Sequence, residues 1–253
     1  MARDIETYVV GGLVKIRPYG QGGPFTPVGL VSTLTQAIEK TDLTLADTTT
    51  PQGGEYDSIS RITSMSLTMN WRELYTTNLA AMFWGDVTRV PAATVTDEDH
   101  VAAKGGTITL EKMPLSIGEV TDATGATIYV EGDDYQFTGS GVEILAAGAI
   151  AEAAPIKITY STATVDVIEV LTNSGKVYEI LFEGANAAGQ KNRINLQYFR
   201  CQLNPAASTD WISTDDFLGN EVVAKVLSDP AKSGQGKSKY MRITKEVMPA
   251  QLP

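Results

Sequence analysis

Only one stretch of this chain carries a helix signal, while nearly everything around it alternates or turns. That imbalance sets the fold class. Residues 70–85, NWRELYTTNLAAMFWG, place Asn70 where a side-chain cap would sit and Glu73 three residues later, the spacing of a capping box. Trp71, Leu74, Tyr75, Leu79, Met82 and Phe83 fall on one apolar stripe, and Gly85 follows as a left-handed stop. A stripe this wide and aromatic must be buried, each large side chain contributing roughly 1.5–3 kcal/mol. With strands almost everywhere else, the surface that buries it is a sheet. The helix residues expected in the core are Trp71, Leu74, Leu79, Met82 and Phe83.

Upstream, residues 13–17 and 28–34 read as strands separated by the loop GQGGPFTP. Residues 41–60 contain DLTLADTTTPQGGEYDS, rich in Thr, Gly and acids, and after them Met65, Leu67 and Met69 alternate with Ser64, Ser66 and Thr68. This pattern predicts a long hairpin arm with a mobile tip. A loop of that length in a compact domain is either functional or disordered. Two readings stand: a floppy surface loop, or an arm that orders on a neighbouring subunit.

Residues 87–104 read as a linker, with DEDH at 97–100. From 107 to 160 short alternating runs recur (Ile108 and Leu110; Ile128 and Val130; Val142 and Ile144; Ile156, Ile158 and Tyr160), with turns at DATG, EGDD, GSG and AAGA. Strands so spaced, with no helix between them, predict a small inserted antiparallel sandwich. The expected organisation is a core domain from 1–104 and 164–253, interrupted by an inserted β-module at 105–163. Residues 165–171 and 176–183 read as a hairpin turning at TNSG. In 193–203 the apolar face changes phase, from Ile194, Leu196 and Tyr198 to Phe199, Cys201 and Leu203. That shift needs a bulge or a strand passing between sheets. The fold class is mainly β: two packed antiparallel sheets, sandwich- or barrel-like, with one flanking helix and a small inserted β-domain.

The chemistry is sparse. With 30 acidic and 20 basic residues the net charge is −10, which opposes a general nucleic-acid-binding surface. The start, MARDIETYVVGGLV, has early acids and a short apolar run, and no run approaches the ~20 residues of a membrane span, so a soluble cytosolic product is expected. His100 is the single histidine, and four adjacent residues in DEDH do not converge readily on a metal. Cys201, mid-strand, reads as a small buried hydrophobe. GQGKSK at 234–239 lacks the leading glycine of a phosphate loop, Ala231 standing in its place. Asp133-Asp134 and Asp215-Asp216 are neighbours that point to opposite faces if they lie on strands. No catalytic, cofactor or metal residue is expected. Lys232, Lys237, Lys239, Arg242 and Lys245 crowd the C-terminus, read either as a solvated tail or as a basic arm lying on an acidic patch of a neighbour.

The order hairpin, long loop, strand, helix with TTNLAAMFWG, then LFEGANAAGQKN, FRCQLNP, DWISTDDF and VLSDP resembles tail tube (major tail) proteins of long-tailed bacteriophages. EGDDYQF and GVEILAAGAIAEAAPIKITY resemble the sheet-rich insertion found in many of them. The resemblance covers residues 11–230 and rests on layout and short degenerate strings. It implies two packed sheets flanked by a helix, hexameric rings stacked into a tube, and an acidic lumen through which DNA passes without specific binding. It implies a virion tail protein assembled in the host cytoplasm, with tape measure and tail terminator or tip proteins as further partners and no membrane. It makes 41–60 the inter-ring loop, with Leu43, Leu45, Asp47, Pro51, Glu55, Tyr56 and Asp57, and Lys237, Lys239, Arg242 and Lys245 a C-terminal inter-ring arm. The alternatives are a tube ring of a bacterial secretion or contractile-injection system, a surface adhesion module, and an enzyme.

Overall fold

The computed structural model describes residues 7–189 and 191–247. The chain forms two compact units, one made of the chain up to Asp86 together with the chain from Ile168 onward, the other Val87–Val167. In chain order the first stretch carries β1 (Val10–Pro18), β2 (Thr26–Pro27), β3 (Val31–Ala46), β4 (Glu55–Trp71) and α1 (Thr76–Met82). There follow β5 (Asp86–Val90), β6 (Thr94–Val101), β7 (Thr107–Thr109), β8 (Pro114–Asp122), β9 (Ile128–Tyr129), β10 (Tyr135–Thr138), β11 (Gly141–Ile144) and β12 (Pro155–Thr162). The last are β13 (Val165–Glu169), β14 (Val177–Asn186), β15 (Arg193–Leu203), β16 (Asn220–Val226) and β17 (Met241–Lys245). The protein is mainly β with antiparallel sheets, and α1 is the one helix among the described residues.

The first unit is built on an eight-stranded sheet in the order β2-β1-β14-β15-β16-β4-β3, with β17 also against β15. The phase change read in 193–203 is a bulge: Tyr178 faces Cys201 but Ile180 faces Tyr198, so β15 carries one residue more than β14. Tyr198 and Phe199 are therefore both buried although adjacent. On either side of the bulge β15 changes partner, its residues 194–198 pairing with β17 and 201–203 with β16. The Tyr198 hydroxyl donates to Gln36 Oε1 at 2.9 Å. Gln36 is on β3, three places from β15 in the sheet order, so the sheet curls back over its own core. That core gathers Leu67, Met69, Trp71, Ile180, Tyr198, Leu203 and Val222 with Ala81 and Met82 of the helix.

The helix is shorter than expected. Asn70 and Trp71 belong to β4, where Trp71 faces Val31 on one side and Asn220 on the other. Trp71 extends the buried alternation of Met65, Leu67 and Met69, and pairing on both edges outweighs its helical spacing to Leu74. Tyr75 stands at the N-cap without a side-chain cap bond. Glu73 turns instead to the Leu30 amide, which donates to it at 2.8 Å, and Asn78 donates to the carbonyls of Val28 and Glu73. Met82 is fully buried, whereas Leu74, Leu79 and Phe83 are only half-buried and the deep helix face is Asn78, Ala80, Ala81 and Met82. The left-handed residue is Trp84, φ +50°, not Gly85. The Gly85 amide then closes onto the Ala80 carbonyl at 2.8 Å. Gly85 is required for another reason: a Cβ there would lie 2.8 Å from the Glu169 carbonyl oxygen.

The second unit begins at Val87, earlier than the expected 105, because the supposed linker contains β6. A four-stranded sheet, β6-β12-β8-β9, and a three-stranded one, β10-β11-β7, share one core of Val120, Tyr135, Val142, Ile144, Ile156, Ile158 and Tyr160. The inward positions of β6 include Glu98 and His100, which disguise it as a loop. Glu98 accepts from the Tyr160 hydroxyl at 2.6 Å, His100 Nε2 at 2.7 Å and the Glu111 amide at 3.0 Å. Burial alone would raise its pKa; these three hydrogen bonds outweigh burial and hold it below the usual 4.5. An ionised Glu98 stabilises the fold above that value and loses its contribution as pH falls through the depressed one. Glu98→Gln is accordingly expected to be less stable than wild type at neutral pH, the gap closing in acid; parallel thermal melts from pH 7 to 3 measure it.

The expected TNSG hairpin does not form. β13 pairs with β5, and β14 pairs with β1 and β15.

Candidate interaction surface

The hairpin of β3 and β4 runs far beyond the core. Its inner half is anchored, with Met65, Leu67, Met69 and Trp71 buried on one face. From residue 38 outward, and back as far as 62, both strands are exposed on both faces. Most of what reads as loop in the sequence is therefore strand, with only 47–54 at the turn. Leu43 and Leu45 lie on β3, Glu55, Tyr56 and Asp57 on β4, and Asp47 and Pro51 in the turn. Asp47 accepts from the Thr49 amide and hydroxyl, and these bonds hold its carboxyl below the usual carboxylate range. Farther in, Asp42 accepts from Ser60 and Lys40, and Glu39 from Ser64.

Polar rungs tie the ribbon, and large apolar side chains stand exposed between them. Ile38, Leu43, Leu45, Tyr56, Ile59 and Ile62 are 51–67% exposed. Leu43 faces Ile59 across the ladder, with Leu45 facing Asp57 and Thr41 facing Arg61, so Leu43, Leu45 and Ile59 share one side. A lone two-stranded ribbon is marginal in water. In addition, β3 ends the sheet, and its outer edge offers unpaired backbone groups along a 16-residue strand.

A second apolar feature of the same unit is a groove of about 300 Å³ lined by Leu79, Phe83, Ile168, Val170 and Trp211. Phe83 and Trp211 stack with ring centroids 6.1 Å apart. Trp211 belongs to the irregular segment between β15 and β16, where Ile212 and Phe217 are 87% and 88% exposed. Asp210, Asp215 and Asp216 give this segment the sequence look of a polar, acidic loop. The available signal was Trp211, Ile212 and Phe217 set among the acids.

The basic C-terminal residues do not form a free arm. Arg242 and Lys245 sit on β17, which is paired with β15, and the Lys239 carbonyl accepts from the Asp229 amide at 2.8 Å. Arg242 lies over the Phe199 ring at 5.9 Å and Lys245 over that of Tyr8 at 5.7 Å. Lys237 and Lys239 are exposed in the preceding loop. The chain is held because residues 241–245 find an open edge on β15 just beyond its bulge.

Cys201 is buried, and burial, followed by the charge of Glu179, pushes its thiol up to about 12, so it is protonated and unreactive at neutral pH. The Glu98 carboxylate already accepts from three partners of its own unit. Among the described residues no group of three or more His, Cys, Asp or Glu is placed to hold a metal ion.

Residues 7–244 match the family described as protein of unknown function UCP028589. The chain belongs to that family. Its matched span runs across both units and includes the ribbon, the groove and most of β17. Among curated proteins none matches.

Proposed function

We propose that the chain is a structural, non-enzymatic subunit that assembles with copies of itself into rings stacked as a tube, in the manner of phage tail tube proteins. The observation that carries this reading is the ribbon of 38–62, open on both faces and studded with large apolar side chains. Patches of that kind mark interaction surfaces. The unpaired edge of β3 supports it, because joining that edge to a neighbour and closing a ring removes the exposed rim of the sheet. The net charge of −10 supports a bore that repels phosphate, so that DNA slides through it. On this reading the further partners are a tape measure protein and the proteins that end the tail, and the setting is the virion tail.

Negative-stain microscopy and sedimentation velocity over rising concentration test the proposal. Rings or tubes of uniform diameter are the expected result. A chain that remains monomeric at high concentration overturns it.

A further inference from the structure

The acceptor of the ribbon is the open question left by that proposal, and the inference here rests on it. We infer that the groove of Leu79, Phe83, Ile168, Val170 and Trp211 receives the ribbon of a second copy of this chain. Within one copy the ribbon is exposed on both faces and the groove is open, so the two do not seat on each other intramolecularly.

The chemistry of the two surfaces is complementary. Leu43, Leu45 and Ile59 form a short apolar row on one ribbon face, and the groove offers an apolar bed that includes the stacked rings of Phe83 and Trp211. Aromatic side chains at well-packed pockets are the usual anchors of an interface. At the margins, Arg61 lies on the same ribbon face as Ile59, and Asp210 adjoins Trp211. Among the described residues neither is in an ion pair, and opposite charges at the rim of an interface fix its register. A second copy is the occupant because each chain brings one ribbon and one groove, which lets the contact repeat from copy to copy.

The test is cysteine trapping in the full chain, with Cys201 silent because it is buried. The double variant Leu45→Cys, Val170→Cys is expected to give a ladder of covalent multimers on mild oxidation of the assembled protein, and each single variant none. Val170→Asp, at a half-exposed position, is expected to fold as judged by circular dichroism and to lose long assemblies at least tenfold in microscopy counts. Assemblies of normal size without a ladder, or unimpaired assembly of folded Val170→Asp, overturn this inference and leave the self-assembly reading intact. Cross-linking of Leu45→Cys alone shows ribbon meeting ribbon and also overturns it. A wild-type chain that stays monomeric overturns both.

Discussion

A chain in which the residues between Glu39 and Ser64 are replaced by Asn-Gly is expected to remain folded and to lose higher-order assembly altogether. Glu39 and Ser64 face each other in the ladder, so a two-residue turn closes the hairpin there without changing the register of the strands below. Everything removed lies on the doubly exposed part, and the anchored part, from Met65 to Trp71 and its partners on β3 and β16, is retained. Since little buried surface is lost, Tm should move by less than about 4 °C, the equivalent of roughly 1 kcal/mol in a chain of this size. Differential scanning calorimetry reads the first expectation and sedimentation velocity the second. Assembly that survives the trimming would remove the ribbon from the account, and unfolding would mean that the ribbon supports the core.

Trp71→Ala should have the opposite profile. Trp71 is fully buried at the end of β4, between β3 and β16, and replacing a buried Trp or Phe by Ala costs about 3–5 kcal/mol. At about 2–4 °C per kcal/mol, the first unit should melt roughly 6–20 °C lower. The core of Val87–Val167 contains none of the residues packed around Trp71, so amides near Ile156 and Ile158 should keep their protection. Peptide-resolved hydrogen exchange distinguishes the two units. A matched loss in both would show that their stabilities are coupled.

Parts of this fold are readable from the chain and parts are not, and the division has a physical basis. Burial on one strand face leaves a two-residue period, which is why Met65, Leu67 and Met69 and the strand of Ile156, Ile158 and Tyr160 are legible. Trp71 belongs to that same series, yet it also stands three residues before Leu74, and the helical spacing misleads. The outer ribbon has no buried face and hence no period, so a pair of strands reads as a loop. β6 hides because Glu98 and His100 point inward: His100 bonds to Glu98, and Glu98 also accepts from Tyr160, 62 residues farther along the chain and invisible to any local pattern. The groove draws Leu79 and Phe83, Ile168 and Val170, and Trp211 from three distant segments, and no local pattern announces such a meeting.

The chain leaves the first unit just after Gly85 and re-enters it at Ile168, and the contact at Gly85 is so close that a Cβ would press on the Glu169 carbonyl. A segment whose ends meet this tightly is a cassette. No strand of the eight-stranded sheet comes from 87–167, so excising that segment for a short splice, or exchanging it for a foreign module of similar end spacing, is expected to leave the sheet with the same neighbours and the same hydrogen bonds.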